Sequence, residues 1–235
     1  AGLAKRKSIH VKYAQAVPLK YAIDPINCIF LIKGKCKVCE KLCPAKAINF
    51  EDKEKELTIQ AGAIIISPGC EVFDPKAYDV YGYQRSPNIV TSLEFERMLS
   101  ASGPYSGHLI RLSDKKEPKK IAWIQCVGSR DVHEGAKAYC SAVCCTYAIK
   151  EAIVAKEHAK GGLDTAIFYV DMRTFGKDFE RYYNRAREEA GVRFIKSRIT
   201  QILPMSDTGD LLIRYTDDAQ KRIEETFDLV VLSVG

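Results

Sequence analysis

An α/β fold is what this sequence predicts: a nucleotide-binding-type domain in its second half, with a cysteine-rich segment ahead of it. Three observations predict it. After residue 119, short apolar runs alternate with helical stretches in the order strand, helix, strand, helix, strand, followed by a hairpin and a final strand. Before residue 50, four cysteines fall within sixteen residues and end in Cys43-Pro44. A second set, Cys126, Cys140, Cys144 and Cys145, sits where the first strand of the α/β region passes to its helix.

Residues 1–25 are basic and irregular and read as extended chain. Residues 55–66 alternate and then turn wholly apolar at Ala63-Ile64-Ile65-Ile66, which predicts a strand entering a buried sheet, closed by Ser67-Pro68-Gly69. Residues 70–118 are rich in Pro, Gly, Tyr and Ser, with one helix. Thr91 or Ser92 is its N-cap, Glu94 stands in the first turn, and Leu93, Phe95, Met98 and Leu99 form its apolar side. The charged run 115–120 is the expected domain boundary. Beyond it the pattern predicts strands at 121–124, 165–170, 192–195, 201–204, 211–215 and 229–232. It predicts helices at 141–160 and 177–190, and a turn at Asp207-Thr208-Gly209-Asp210. The expected divisions are therefore 1–54, 55–118 and 119–235.

Composition narrows the function classes. The chain has 235 residues, 46% hydrophobic and 28% charged, with a formal charge of +6. Such usage excludes a disordered, collagen-like or coiled-coil chain. The mild positive excess permits an acidic partner or an anionic ligand without requiring nucleic acid. Its apolar runs are too short for a membrane span. No basic-then-apolar leader opens the sequence, so a cytoplasmic location is expected. Both ends read as internal to a longer protein: the chain opens on Ala1, and it stops directly after the apolar run 229–232. Nine cysteines, an odd number, argue against a disulfide framework.

The first set reads Cys28-x7-Cys36-x2-Cys39-x3-Cys43-Pro44. Four thiolates at that spacing can wrap one small inorganic centre, and the trailing Cys-Pro is the ending of ferredoxin-type loops. Ala45-Lys46-Ala47-Ile48 has the spacing of the short helix that follows in such folds. Structural zinc is the rival, since Cys-x2-Cys suits tetrahedral metal, although zinc ribbons usually carry two such knuckles. The second set occupies the place of a dinucleotide-binding glycine loop, of which only Gly128 survives. A helix N-terminus stabilises thiolates and anionic centres alike. A metal or cluster, a redox disulfide and buried packing all remain readings of these four cysteines. Asp171 reads either as a ribose-binding acid or as a loop residue. His133 is the only histidine near this chemistry, and Cys70 reads as a lone buried or loop thiol.

Taken together, several segments resemble the A-type subunit of heterodisulfide reductase, an iron–sulfur flavoprotein family. They are Gly34-Lys35-Cys36-x2-Cys39-Glu40-Lys41-x-Cys43-Pro44, Gln125-Cys126-Val127-Gly128-Ser129-Arg130-Asp131, Tyr139-Cys140-Ser141-x2-Cys144-Cys145 and Arg173-Thr174-Phe175-Gly176-Lys177. The resemblance spans essentially the whole chain. It implies a Rossmann-like, thioredoxin-reductase-like α/β domain over 119–235, preceded by a partial ferredoxin-like insert over 1–54 and a remnant of an FAD domain over 55–118. It implies [4Fe–4S] clusters on Cys28, Cys36, Cys39 and Cys43 and on Cys126, Cys140, Cys144 and Cys145. It also implies FAD in the full-length protein, with Ser67-Pro68-Gly69 and Ser233-Val234-Gly235 at the positions of its two Ala-Thr-Gly-like turns. The family's upstream cysteine motif and FAD glycine loop are not in this sequence, so this stretch alone is expected to hold FAD poorly. The implied partners are other heterodisulfide reductase subunits and an electron-donating hydrogenase or dehydrogenase. A zinc-stabilised interaction module and a nicotinamide-dependent disulfide reductase are the competing functions.

Overall fold

The computed structural model describes residues 3–53, 55–217 and 219–235; Glu54, the expected end of the first segment, lies outside them. The chain divides into two compact units, one running to Cys70 and the other from Glu71 to Gly235.

In the N-terminal unit, β1 (Ile9–His10) pairs antiparallel with β2 (Ala22–Ile23), Ile9 opposite Ile23. Two one-turn helices follow, α1 (Ile29–Lys33) and α2 (Val38–Leu42). Gly34 ends α1 in the left-handed region at φ 66°, a conformation that costs a glycine little. Phe30 and Phe50 pack at 4.4 Å, with the Lys37 ammonium over the Phe30 ring. The strand predicted at 55–66 does not form: Leu57, Ile59 and Ile64–Ile66 are all exposed. An apolar run becomes a buried strand only beside strands that cover it, and this unit offers a single two-residue pair. Nor do Ala45-Lys46-Ala47-Ile48 form a helix; the helix of this region lies before Cys43, not after it.

The C-terminal unit takes in much of what reads as linker. After two short 3₁₀ turns at Pro75–Ala77 and Asp79–Tyr81 come β3 (Ile89–Thr91) and α3 (Ser92–Leu99). Thr91 and Glu94 close a capping box on α3: the Glu94 N–H donates to Thr91 Oγ1 at 3.3 Å and the Thr91 N–H to Glu94 Oε2 at 2.8 Å. Phe95, Met98 and Leu99 are buried, while Leu93 points to solvent. Then follow β4 (Lys120–Val127), α4 (Cys144–His158), β5 (Asp164–Tyr169), α5 (Phe179–Glu188) and β6 (Arg193–Lys196). An antiparallel meander of β7 (Ile202–Pro204), β8 (Leu211–Thr216) and β9 (Arg222–Phe227) leads to β10 (Leu229–Val234).

Among the described residues the main sheet is five-stranded and parallel, in the order β3-β10-β4-β5-β6. Strand alternation sorts its residues into two cores. Ala122, Ile124, Phe168, Val230 and Leu232 face the meander, meeting Leu211, Ile213 and Phe227. Trp123 faces the helices, edge-on to Phe95 at 5.5 Å, and its indole N–H donates to Glu151 of α4 at 2.8 Å. The order reverses between β4, which leads outward to β5 and β6, and β10, which returns on the other side. In open parallel sheets the crevice beyond the strand ends at such a reversal is where ligands bind.

Candidate metal centre

The second cysteine set lies in that crevice. Between Ile124 and Val127 on β4 the register against β10 slips by one residue, since Leu232 pairs with Ile124 and Val234 with Val127. Three steps on β4 therefore match two on β10, which is a β-bulge. Cys126 sits in the bulge with a left-handed φ of 62°. A non-glycine residue there costs about 1–3 kcal/mol, strain that recurs at functional positions. Gly128 follows at φ 77°, where a Cβ would stand 2.0 Å from the Phe73 ring, so only glycine fits. The loop then folds back on itself, with the Lys137 N–H donating to the Gly128 carbonyl and the Arg130 N–H to that of Tyr139. Ala142 turns the chain at φ 64° just before α4 starts on Cys144.

Three sulfurs of the second set meet. Hydrogen bonds from Cys126 and then Cys145 draw the Cys144 thiol far below its ordinary range, against the opposing effect of burial. The Cys126 thiol is pushed up by its bond to Cys144 and by burial, and Arg130 beside it pulls the other way. Cys145 is pushed up by its bond to Cys144 and by burial, and its sulfur also lies 3.8 Å from the Asp171 carbonyl oxygen. Cys144 opens α4, where the partial positive charge of the helix N-terminus favours a thiolate. Cys140 stands apart and half-buried, its sulfur accepting from the Ala142 N–H at 3.3 Å. Arg130 is fixed by Asp171, Nη2 to Oδ2 at 2.7 Å. That is the role Asp171 plays here, as a loop residue.

Two buried donors line this crevice and face its sulfurs: the Ser141 hydroxyl acts on the Cys144 thiol and the Arg130 guanidinium on the Cys126 thiol. Donors turned to sulfur favour the thiolate form. Soft thiol donors, a helix N-terminus and one guanidinium form a set that fits a thiolate-bound iron–sulfur centre. Ser233 and Gly235 close the same crevice. The Ser233 hydroxyl accepts from Gln125 at 3.0 Å, Tyr147 donates to the Val234 carbonyl, and a Cβ on Gly235 would strike Ser141 and Ser129.

The first set is not gathered in this way. Cys28 is buried at the N-cap of α1, Cys36 is exposed at φ 119°, and Cys39 lies on α2. Cys43 accepts from the Ala47 N–H at 3.4 Å. Among the described residues no three His, Cys, Asp or Glu side chains already stand at metal-ligand positions. Ser67, Pro68 and Gly69 are exposed and lie outside any strand or helix, and Cys70 is exposed rather than buried. All nine cysteines are free. No helix among the described residues is long and apolar enough to cross a membrane. Sequence reading missed Arg130 as a residue of this crevice, and Tyr147 and Ser141 with it. Arg130 lies within the motif around Cys126, so its place in the chain pointed to it.

In sequence, the chain matches relatives of one class, the A-type subunits of heterodisulfide reductases. The chain is 44% identical over its whole length to the iron–sulfur A-type subunit of the CoB–CoM heterodisulfide reductase of Methanocaldococcus jannaschii. It is 39% identical to the A-type subunit of the H2:CoB-CoM heterodisulfide,ferredoxin reductase of Methanothermobacter thermautotrophicus. It is 44% identical to that of the H2/formate-dependent counterpart in Methanococcus maripaludis. The chain is thus a relative, from end to end, of the heterodisulfide reductase A-type subunits, and it spans about a third of those proteins' length (35%, 34% and 35%). No protein-family model matches it. A solved lysine monooxygenase from Nocardia farcinica superposes over 63% of this chain and 36% of its own, at a TM-score of 0.35 and 12% identity, too distant to carry an argument.

Proposed function

We propose that this chain is the electron-transfer part of an iron–sulfur flavoprotein of the heterodisulfide reductase A-type. In this reading Cys126, Cys140, Cys144 and Cys145 ligate one [4Fe–4S] cluster in a Rossmann-like domain. Cys28, Cys36, Cys39 and Cys43 belong to a second, in a ferredoxin-like insert, on the strength of their spacing. The observation that carries the proposal is the meeting of Cys126, Cys144 and Cys145 at the α4 N-terminus, with Ser141 and Arg130 turned toward them.

When bound, an iron–sulfur cluster supplies one-electron transfer. The chain's own residues do the rest. Cys144, at the N-terminus of α4, offers a thiolate. Arg130, braced by Asp171, and the N–H groups of the first turn of α4 offset negative charge. The buried faces of β4 and β10 keep water from the crevice floor. In the longer protein, FAD would be held with the FAD half, to which the Ser67-Pro68-Gly69 turn belongs by the resemblance, and would exchange electrons with the clusters. Partner subunits would reduce the heterodisulfide of two thiol coenzymes in the cytoplasm, fed by a hydrogenase or dehydrogenase.

Anaerobic reconstitution with ferrous iron and sulfide tests the proposal. The loaded chain is expected to be brown, bleached by dithionite, with iron and sulfide in equal amounts. Cys144→Ser is expected to remove the second-set cluster, about half of the bound iron. Unchanged iron in that variant, or a colourless chain that retains only zinc, would overturn the assignment.

A further inference from the structure

A cavity of about 430 Å3 opens in the C-terminal unit between the 77–81 segment, the loop after β4 and the turn after β6. Tyr78, Tyr81 and Ile199 supply its apolar wall; Asp131, His133 and Arg198 supply its polar side. That size suits a small organic ligand. Asp131 is buried, and its carboxylate is already spoken for: it bonds His133 Nδ1 at 2.6 Å and accepts from Arg198 Nη2 at 3.1 Å. A guanidinium carries five N–H donors, so Arg198 has donors beyond the one given to Asp131.

The Tyr78 hydroxyl oxygen is buried without any hydrogen-bond partner. Burial, and then the charge of Asp131, keep it protonated, so it is a donor in need of an acceptor. Arg198 acts on the same phenol, which places both donors in one neighbourhood. The His133 ring packs edge-on to Tyr78 at 5.4 Å. A carboxylate has two oxygens that can accept from Tyr78 and Arg198 together, and a guanidinium donates more strongly to a charged acceptor than to a neutral one. The aromatic wall selects a flat, apolar body. A separate water-sized void shares Tyr81, Arg198 and Ile199 with this cavity and is also lined by Cys126.

We propose that this cavity binds an aromatic carboxylate, its carboxyl group held by Arg198 and the Tyr78 hydroxyl and its ring laid against Tyr81 and Ile199. The site stands whether or not the cysteines hold iron. Binding of 2-naphthoate and of its neutral analogue 2-naphthylmethanol to the full chain, followed by calorimetry, tests it. Naphthoate is expected to bind about ten-fold more tightly than the alcohol, the factor of one charge-assisted hydrogen bond. Tyr78→Phe, which keeps the ring, and Arg198→Gln are each expected to weaken naphthoate about five-fold or more and to leave the alcohol unchanged. Circular dichroism checks that both variants fold. Equal affinity for the two probes, no binding of naphthoate, or naphthoate affinity that survives Tyr78→Phe would overturn the proposal.

Discussion

Glu151 shows what a single residue costs and returns. It is buried on α4, and only one of its oxygens is bonded, to the Trp123 indole N–H. Burial, opposed by that bond, holds its carboxyl well above the ordinary carboxylate range. The folded chain therefore keeps a proton that the unfolded chain releases at about pH 4.3. Stability from this group is full below that pH and is lost as pH rises toward the folded value. Glu151→Gln, isosteric with the protonated acid, is expected to remove that loss. Its melting temperature should exceed the parent's more at pH 8 than at pH 5; an equal difference at both would refute the sign. None of this was legible in the sequence, where Glu151 reads as one more charge among the helix residues. Its burial comes from Trp123, twenty-eight positions away. By contrast Thr91 and Glu94 announce the cap of α3 by adjacency alone, because a capping box is a local device.

At the scale of elements, the same cap makes a second prediction. Thr91→Ala removes the acceptor for the Glu94 N–H and is expected to destabilise the C-terminal unit by about 1 kcal/mol, with Thr91→Ser restoring most of it. Chemical denaturation of the two variants measures both. Helix and strand order after residue 119 was readable because each element there carries its own period. Boundaries shifted where non-local contacts decide them: α4 starts at Cys144 rather than 141, and β4 runs on to Val127. In the C-terminal unit two strands were not read. β3 has only three residues, and β9, on a meander edge, places Glu225 beside Ile223 and Phe227 on its inward side, which breaks the apolar alternation. The bulge at Cys126 could not be read either, because a register slip belongs to two strands at once. The strand expected at 55–66 fails for the converse reason. Its period is right, but periodicity does not reveal whether a neighbour exists to pair with it.

For the whole molecule, the division at Cys70 and Glu71 replaces the charged run 115–120 as the place where the chain parts into compact units. Segment 55–69 carries exposed Ile64, Ile65 and Ile66 and no strand or helix, so it is the expected site of first cleavage. Limited proteolysis with subtilisin should release a product beginning near residue 71 that keeps its circular dichroism; first cuts within 115–120 would contradict the division. The location of the second cysteine set was legible because a strand, a loop and a helix bracket it in sequence. Which of its members meet was not, since Cys126 and Cys144 approach only through the sheet.

That sheet imposes an order of events on assembly. Strand β10 comes after every other strand of the sheet in the chain, yet it lies between β3 and β4, which precede it by about a hundred residues or more. Until residues 229–234 arrive, the crevice has one wall: Cys126 is tethered to an edge, and Tyr147 has no Val234 carbonyl to grip. The cluster proposed above would therefore find both walls of its crevice only after residues 229–234 have joined the sheet.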